Sequence, residues 1–217
     1  MSSFACEVYT MNIRFSSLVL LLGSLIMLTS LPGCTTVDQK IILRYAPTNQ
    51  SFGQHSGEIF VTRDESPQMV KNSKGEWIIG SLNNVYGVHQ ADLLSDRNLG
   101  EWISDALLLE MKHAGYMASF KPSIPVNALS AIQISDIFSS ITVNKDLVKA
   151  DLKQELKFNV NLYLNGVKTK TFAVASRNSQ TMLWSASVEE NENIMFHALQ
   201  DAMKQFIPEI ISLTGNK

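Results

Sequence analysis

Reactive side chains are few in this sequence, and the thiols come first. The 217-residue chain has two cysteines. Cys6 lies in a leader segment, which leaves Cys34 as the thiol of the mature chain. A Cys-rich metal site and a disulfide are therefore excluded, and an exported domain of this composition must be held by packing. The four histidines are His55, His89, His113 and His197. No two stand three to five residues apart, the spacing that brings two imidazoles to one metal, so neither metal nor cofactor is expected. His197 reads as a helix-surface or satisfied core residue. Glu189, Glu190 and Glu192 invite an acid–base reading, but they stand where a helix begins, and negative charge there faces the positive end of its dipole. The chain has no G-x-S-x-G, S-x-x-K, H-E-x-x-H, GxGxxG or P-loop pattern. A hydrolase would have to gather His, Ser and Asp from separate loops. The expectation is a protein that is not an enzyme.

The context of Cys34 says what its thiol does instead. Arg14 supplies a positive charge, and an apolar run follows from Phe15 to about Leu28. The run stops at Thr29 and Ser30, short of the roughly 20 residues a spanning helix needs, which is the pattern of a secretory signal peptide. Glu7 and Tyr9 make the first ten residues unusually polar, and a start at Met11 gives a tidier leader. Leu31, Gly33 and Cys34 resemble the lipobox of bacterial lipoproteins, with Pro32 a departure from the usual small residue. The resemblance implies cleavage before Cys34 and acylation of that cysteine, and Thr35 in place of aspartate implies sorting to the outer membrane. Two or more acyl chains hold far better than one, so such attachment is effectively permanent.

The expected organisation is a signal peptide over 1–33, a tether over 34–40 and one periplasmic domain over 41–217, long enough for a sizeable core. The leader removes one basic residue, Arg14, and one acidic residue, Glu7, so the net charge stays at −2. That balance suggests neither nucleic acid nor an anionic surface as partner.

Alternating residues predict strands at Ile41 to Tyr45, Glu58 to Arg63 and Glu76 to Leu82, with loops over 47–56 and 64–75. Asn83 to Val88 reads as a turn, or as a binding loop displaying Tyr86. Leu99, Trp102, Ile103, Ala106, Leu107, Met111 and Ala114 form one helical stripe, capped by Asn98 and stopped by Gly115. Tyr116 to Phe120 follows as a short strand. Ala128 to Val143 reads as a strand with a bulge at Asp136. Leu152 to Leu164 alternates almost ideally, and Asn165-Gly166 predicts a two-residue type I′ hairpin. That hairpin sets Val160 opposite Thr171 and Phe158 opposite Ala173, which turns Phe172 and Val174 to the solvated face. They are then covered by the segment around Met182, Leu183 and Trp184, or they form a partner patch with Tyr86. Ser187 and Glu190 form a capping box for a last helix, which Pro208 should end or kink.

Taken with the lipobox, the Leu94-Ser95-Asp96-Arg97 lead into Trp102 to Leu107, the Ala114-Gly115-Tyr116 exit, the meander and Ala198 to Ala202 resemble the YajG-like family of bacterial outer-membrane lipoproteins. The resemblance implies a small α+β domain on a lipid anchor, facing the periplasm, and brings no catalytic residue. The expected architecture is two-layer α+β, a mainly antiparallel sheet with helices 99–114 and 188–207 on one face. The expected role is to assemble or stabilise an envelope complex, with the outer membrane and an envelope protein as partners. The alternative is a lipid or lipopolysaccharide transport auxiliary that binds an apolar ligand.

Overall fold

The computed structural model describes residues 37–48, 56–64, 70–146, 148–183 and 186–215. The leader, Cys34, His55 and Trp184 lie outside them. Among the described residues eight strands run in the order β1 (Gln39–Lys40), β2 (Glu58–Arg63), β3 (Trp77–Asn84), β4 (His89–Ser95), β5 (Met117–Phe120), β6 (Ser130–Lys145), β7 (Lys149–Leu164) and β8 (Val167–Leu183). Helix α1 (Leu99–His113) lies between β4 and β5, and α2 (Val188–Gly215) follows β8.

The strands form one mixed sheet, β1-β4-β3-β6-β2-β5, with β7 and β8 added on the other edge of β6. Four of the seven pairings are parallel: β1–β4, β2–β5, β2–β6 and β3–β6. This mostly parallel pairing corrects the expected mainly antiparallel sheet. The antiparallel part is β3–β4 and the long β6–β7–β8 ladder. The physical reason lies in the connections. β2 and β5 are parallel neighbours, and the chain between them, through β3, β4 and α1, is the long crossover that a parallel pair requires. β2 and β3 then share one edge of β6, β2 along Ala131 to Ile134 and β3 along Thr142 to Lys145.

Rows of apolar side chains cross this sheet. Val61, Ile132 and Leu162 are aligned on β2, β6 and β7, and all three are fully buried. Ala91, Leu82, Val143 and Leu152 make a second row on β4, β3, β6 and β7. Both helices cover this face. Ile137 Cδ1 lies 3.2 Å from where a Cβ on Gly100 of α1 would stand. The Phe158 and Phe206 rings meet edge to face at 6.2 Å, which fixes α2 over β7.

Local signals explain the ends of the elements. The Asn98 side chain accepts from Gly100 N–H at 2.6 Å, and Ser187 and Glu190 exchange the two bonds of a capping box. Asp136 has φ 52 inside a register shift between Ser135 and Phe138, the bulge expected there. Asn165 and Gly166, at φ 51 and 77, make the expected hairpin turn.

Three expectations fail locally. Pro208 does not end α2, which runs on to Gly215. Pro208 is on the exposed side, so the Lys204 carbonyl it frees faces water while Ile207, Ile210 and Ile211 stay buried. Ile41 to Tyr45 is not a strand, although Ile41 and Leu43 are buried. The sheet instead takes Gln39 and Lys40, inside the expected tether.

Candidate functional site

The β7–β8 hairpin decides the fate of two predicted site residues. Leu164 pairs with Val167 and Tyr163 with Lys168, but Leu162 pairs with Lys170, so Thr169 is an extra residue. This bulge reverses the facing of everything beyond it. Val160 now faces Phe172 and Phe158 faces Val174. Phe172 and Val174 are therefore turned into the core, 8% and 4% exposed, and Phe172 packs against Phe206 of α2 at 6.1 Å. The cover comes from within the chain, but from α2, and neither residue belongs to an exposed patch.

The bulge also sets the character of the β8 edge. The Ala175 carbonyl accepts from Gln205 Nε2 at 3.0 Å and so points away from β7. Backbone groups of alternate residues point the same way, which directs those of Thr171, Ala173 and Arg177 to the open side. Among the described residues β8 has a strand on one side only, and it is 17 residues long. Native sheets blunt such edges with charge, proline or bulges, whereas Thr171 to Ser176 carries none of these. The α2 helix touches the edge at two points, through Gln205 and through the Lys170–Glu209 ion pair.

Tyr86 is where exposure was expected. It is 86% exposed at the β3–β4 turn. The turn is held by Asn84, whose Oδ1 accepts from the N–H groups of Tyr86 and Val88 at 3.0 Å each. A cavity of about 470 Å³ lies beside it, between the turn and Asn144, Lys145, Asp146 and Asp151.

A buried carboxylate fastens the chain just after β1. Glu110 of α1 accepts from the Tyr45 hydroxyl, the Thr48 N–H and the Thr48 hydroxyl. The Trp102 indole N–H donates to the Arg44 carbonyl at 2.9 Å, and Ile42 N–H donates to Glu192 Oε1 at 2.9 Å. Burial, with Glu110 as hydrogen-bond and charge partner, pushes the Tyr45 hydroxyl pKa well up. No sequence pattern signalled this latch, because its members lie more than sixty residues apart.

The remaining polar groups do not converge. His89 pairs with Asp92, and His197 stacks edge-on against Phe196. Among the described residues no three His, Cys, Asp or Glu side chains are placed to hold a metal. Glu155 is held below the usual carboxylate range by hydrogen bonds from Lys157 and Arg177. It borders a shallow cavity of about 470 Å³ with Lys153, Arg177 and Ser179. Gln154 is 3% exposed, and neither atom of its amide has a hydrogen-bond partner among the described residues. No helix among the described residues is long and apolar enough to cross a membrane.

No family model and no curated protein matches the sequence. Several solved structures align with much of this chain. A candidate Helicobacter pylori homologue of a neuraminyllactose-binding hemagglutinin is 10% identical over 77% of this chain and 97% of its own, with a TM-score of 0.41. A Xanthomonas campestris protein of the DUF330 family is 14% identical over 83% and 93%, with a TM-score of 0.35. The rare lipoprotein B of Shewanella oneidensis is 8% identical over 62% and 97%, with a TM-score of 0.34. At these scores the likenesses carry no assignment of activity or ligand.

Proposed function

We propose that this chain is a lipid-anchored lipoprotein of the outer membrane, facing the periplasm, that works without catalysis by holding a protein of an envelope complex. The YajG-like resemblance and the lipobox at Cys34 supply the address. The open edge of β8 carries the reading of the job. A long edge strand with an uncharged centre is a template for one more strand, and main-chain pairing of that kind gives affinity without a deep pocket. The partner is accordingly an envelope protein that offers an extended segment or a sheet edge.

The transport alternative has less to rest on. The cavities at Lys153, Glu155 and Arg177 and at Arg44, Glu189 and Glu192 are bordered by charges, which suits an acyl chain poorly. The test is photo-crosslinking in intact envelopes from Thr171, Ala173 and Arg177, whose backbones face outward. A discrete adduct from these positions, lost when Ala173→Pro removes an outward N–H without touching the β7 ladder, is expected. Absence of any adduct from all three positions would sink the proposal.

A further inference from the structure

One end of the sheet gathers exposed apolar side chains from four separate stretches, and the chain enters the domain there. β1 runs parallel to β4, Gln39 beside Leu93 and Lys40 beside Leu94, so the chain arrives from the end of β4 that begins at His89. That end adjoins the β3–β4 turn with Val85, Tyr86 and Val88. The pairs Asn84–Lys145, Lys145–Ala150 and Lys149–Leu183 bring the β6–β7 turn and the end of β8 to the same level. Val37 is 72% exposed, Val85 49%, Val88 56%, Val148 52% and Leu183 70%.

Two features separate this cluster from scattered surface residues. The turn backbone is held by hydrogen bonds, since Asn84 N–H also donates to the Val88 carbonyl at 3.0 Å, and it presents Tyr86 86% exposed. The charges around it, Lys145, Asp146, Lys149 and Asp151, alternate in sign and cancel, and Asp38 beside Val37 adds a single negative charge. The attraction of this end is thus apolar, and its most exposed member is a tyrosine, whose apolar ring and polar tip suit the headgroup level of a bilayer. Chain length selects the occupant. Val37 stands three positions after Cys34, a reach of about 10 Å.

We infer that this end of the sheet is a membrane-contacting face. It seats on the same bilayer that holds the lipid on Cys34, with Tyr86 and its neighbouring valines at the boundary between headgroups and acyl chains. The inference rests on the reading of Cys34 as acylated.

The test uses the full acylated chain in vesicles of phosphatidylethanolamine with a minor share of phosphatidylglycerol. A fluorophore is placed through Tyr86→Cys or Val88→Cys, the Cys34 sulfur being blocked by its lipid, and quenching by headgroup-level nitroxide lipids is read. Val126→Cys is the control. Val126 is 93% exposed beside the Asn165-Gly166 turn at the other end of β7, whose 16 residues span about 50 Å. Quenching at 86 and 88 several-fold above that at 126, and insensitive to salt, is expected. Equal quenching at all three positions in a chain that floats with the vesicles overturns the contact and leaves the anchor standing. A chain that does not float with them overturns both. A protein as the true occupant would show as weak quenching at 86 and 88 in vesicles.

Discussion

The Thr48 N–H donates to Glu110 Oε1 at 2.7 Å, and the Thr48 hydroxyl donates to Oε2 at 3.2 Å. Glu110 is fully buried, and the Tyr45 hydroxyl shares the same Oε1. A single carboxylate of α1 thus satisfies three polar groups of a segment that no strand pairs, and fixes the chain just after its entry. Glu110→Ala should cost about 3 kcal/mol, since it leaves buried donors unmatched. Glu110→Gln keeps one acceptor and should cost about half as much. Urea unfolding checks both, and equal costs for the two would show that the hydrogen bonds are not what holds the segment.

The same contact predicts an alkaline effect. The folded pKa of Tyr45 is raised, first by burial and then by Glu110, above the value near 10 of a free tyrosine. The folded state therefore keeps a proton that the unfolded chain loses. Stability from Tyr45 is fully present below about pH 10 and falls as pH rises from there toward the folded value. Tyr45→Phe should flatten the loss of stability between about pH 9 and 11, measured against wild type by denaturant midpoints. An unchanged slope would place the alkaline sensitivity on another tyrosine.

Phe172 and Phe206 lie 6.1 Å apart, and Phe158 meets the same ring at 6.2 Å. Were Phe172 a surface residue, Phe172→Ala would cost under about 0.5 kcal/mol. In the core it should cost about 3 kcal/mol. A double-mutant cycle with Phe206→Ala should return a coupling of about 1 kcal/mol, the aromatic contact itself.

How much of this was legible in sequence depends on the range of each signal. The α1 stripe, both N-caps, the Asp136 bulge and the Asn165-Gly166 turn are local, and each is where the sequence placed it. The register beyond the turn was not legible, because one extra residue at Thr169 leaves no mark in the alternation yet reverses Phe172 and Val174. Strand direction was illegible for a related reason: turn chemistry announces antiparallel neighbours, while the β2–β5 and β3–β6 pairings depend on where distant crossovers land. β4 passed unnoticed, since His89 to Ser95 has no β-branched residue. Of the candidate site, Tyr86 was visible as a turn residue, but its companions Val148 and Leu183 come from the β6–β7 turn and the end of β8.

Gly80 is another position that only the packing explains. A Cβ there would meet the Ile141 carbonyl at 2.7 Å and Ile141 Cβ at 2.8 Å, both too close. The obstacle is backbone and cannot swing aside. Gly80→Ala should therefore cost about 2 to 3 kcal/mol despite the better strand propensity of alanine. Thermal unfolding of this variant, with Gly75→Ala compared as a position with open space, separates crowding from conformational strain.

Cys34→Ser tests the anchor apart from the fold. The sheet begins at Gln39, and Cys34 lies upstream of every described contact, so the variant should melt at the same temperature as wild type. It should nonetheless leave the membrane fraction. An apolar face without a covalent lipid gives weak, reversible binding, whereas two or more acyl chains give lasting attachment. Some retention through the Tyr86 end is thus compatible with a lost lipid, and adding Tyr86→Ser should abolish it. Full retention of the double variant in the membrane fraction would mean that something other than lipid on Cys34 holds the protein there.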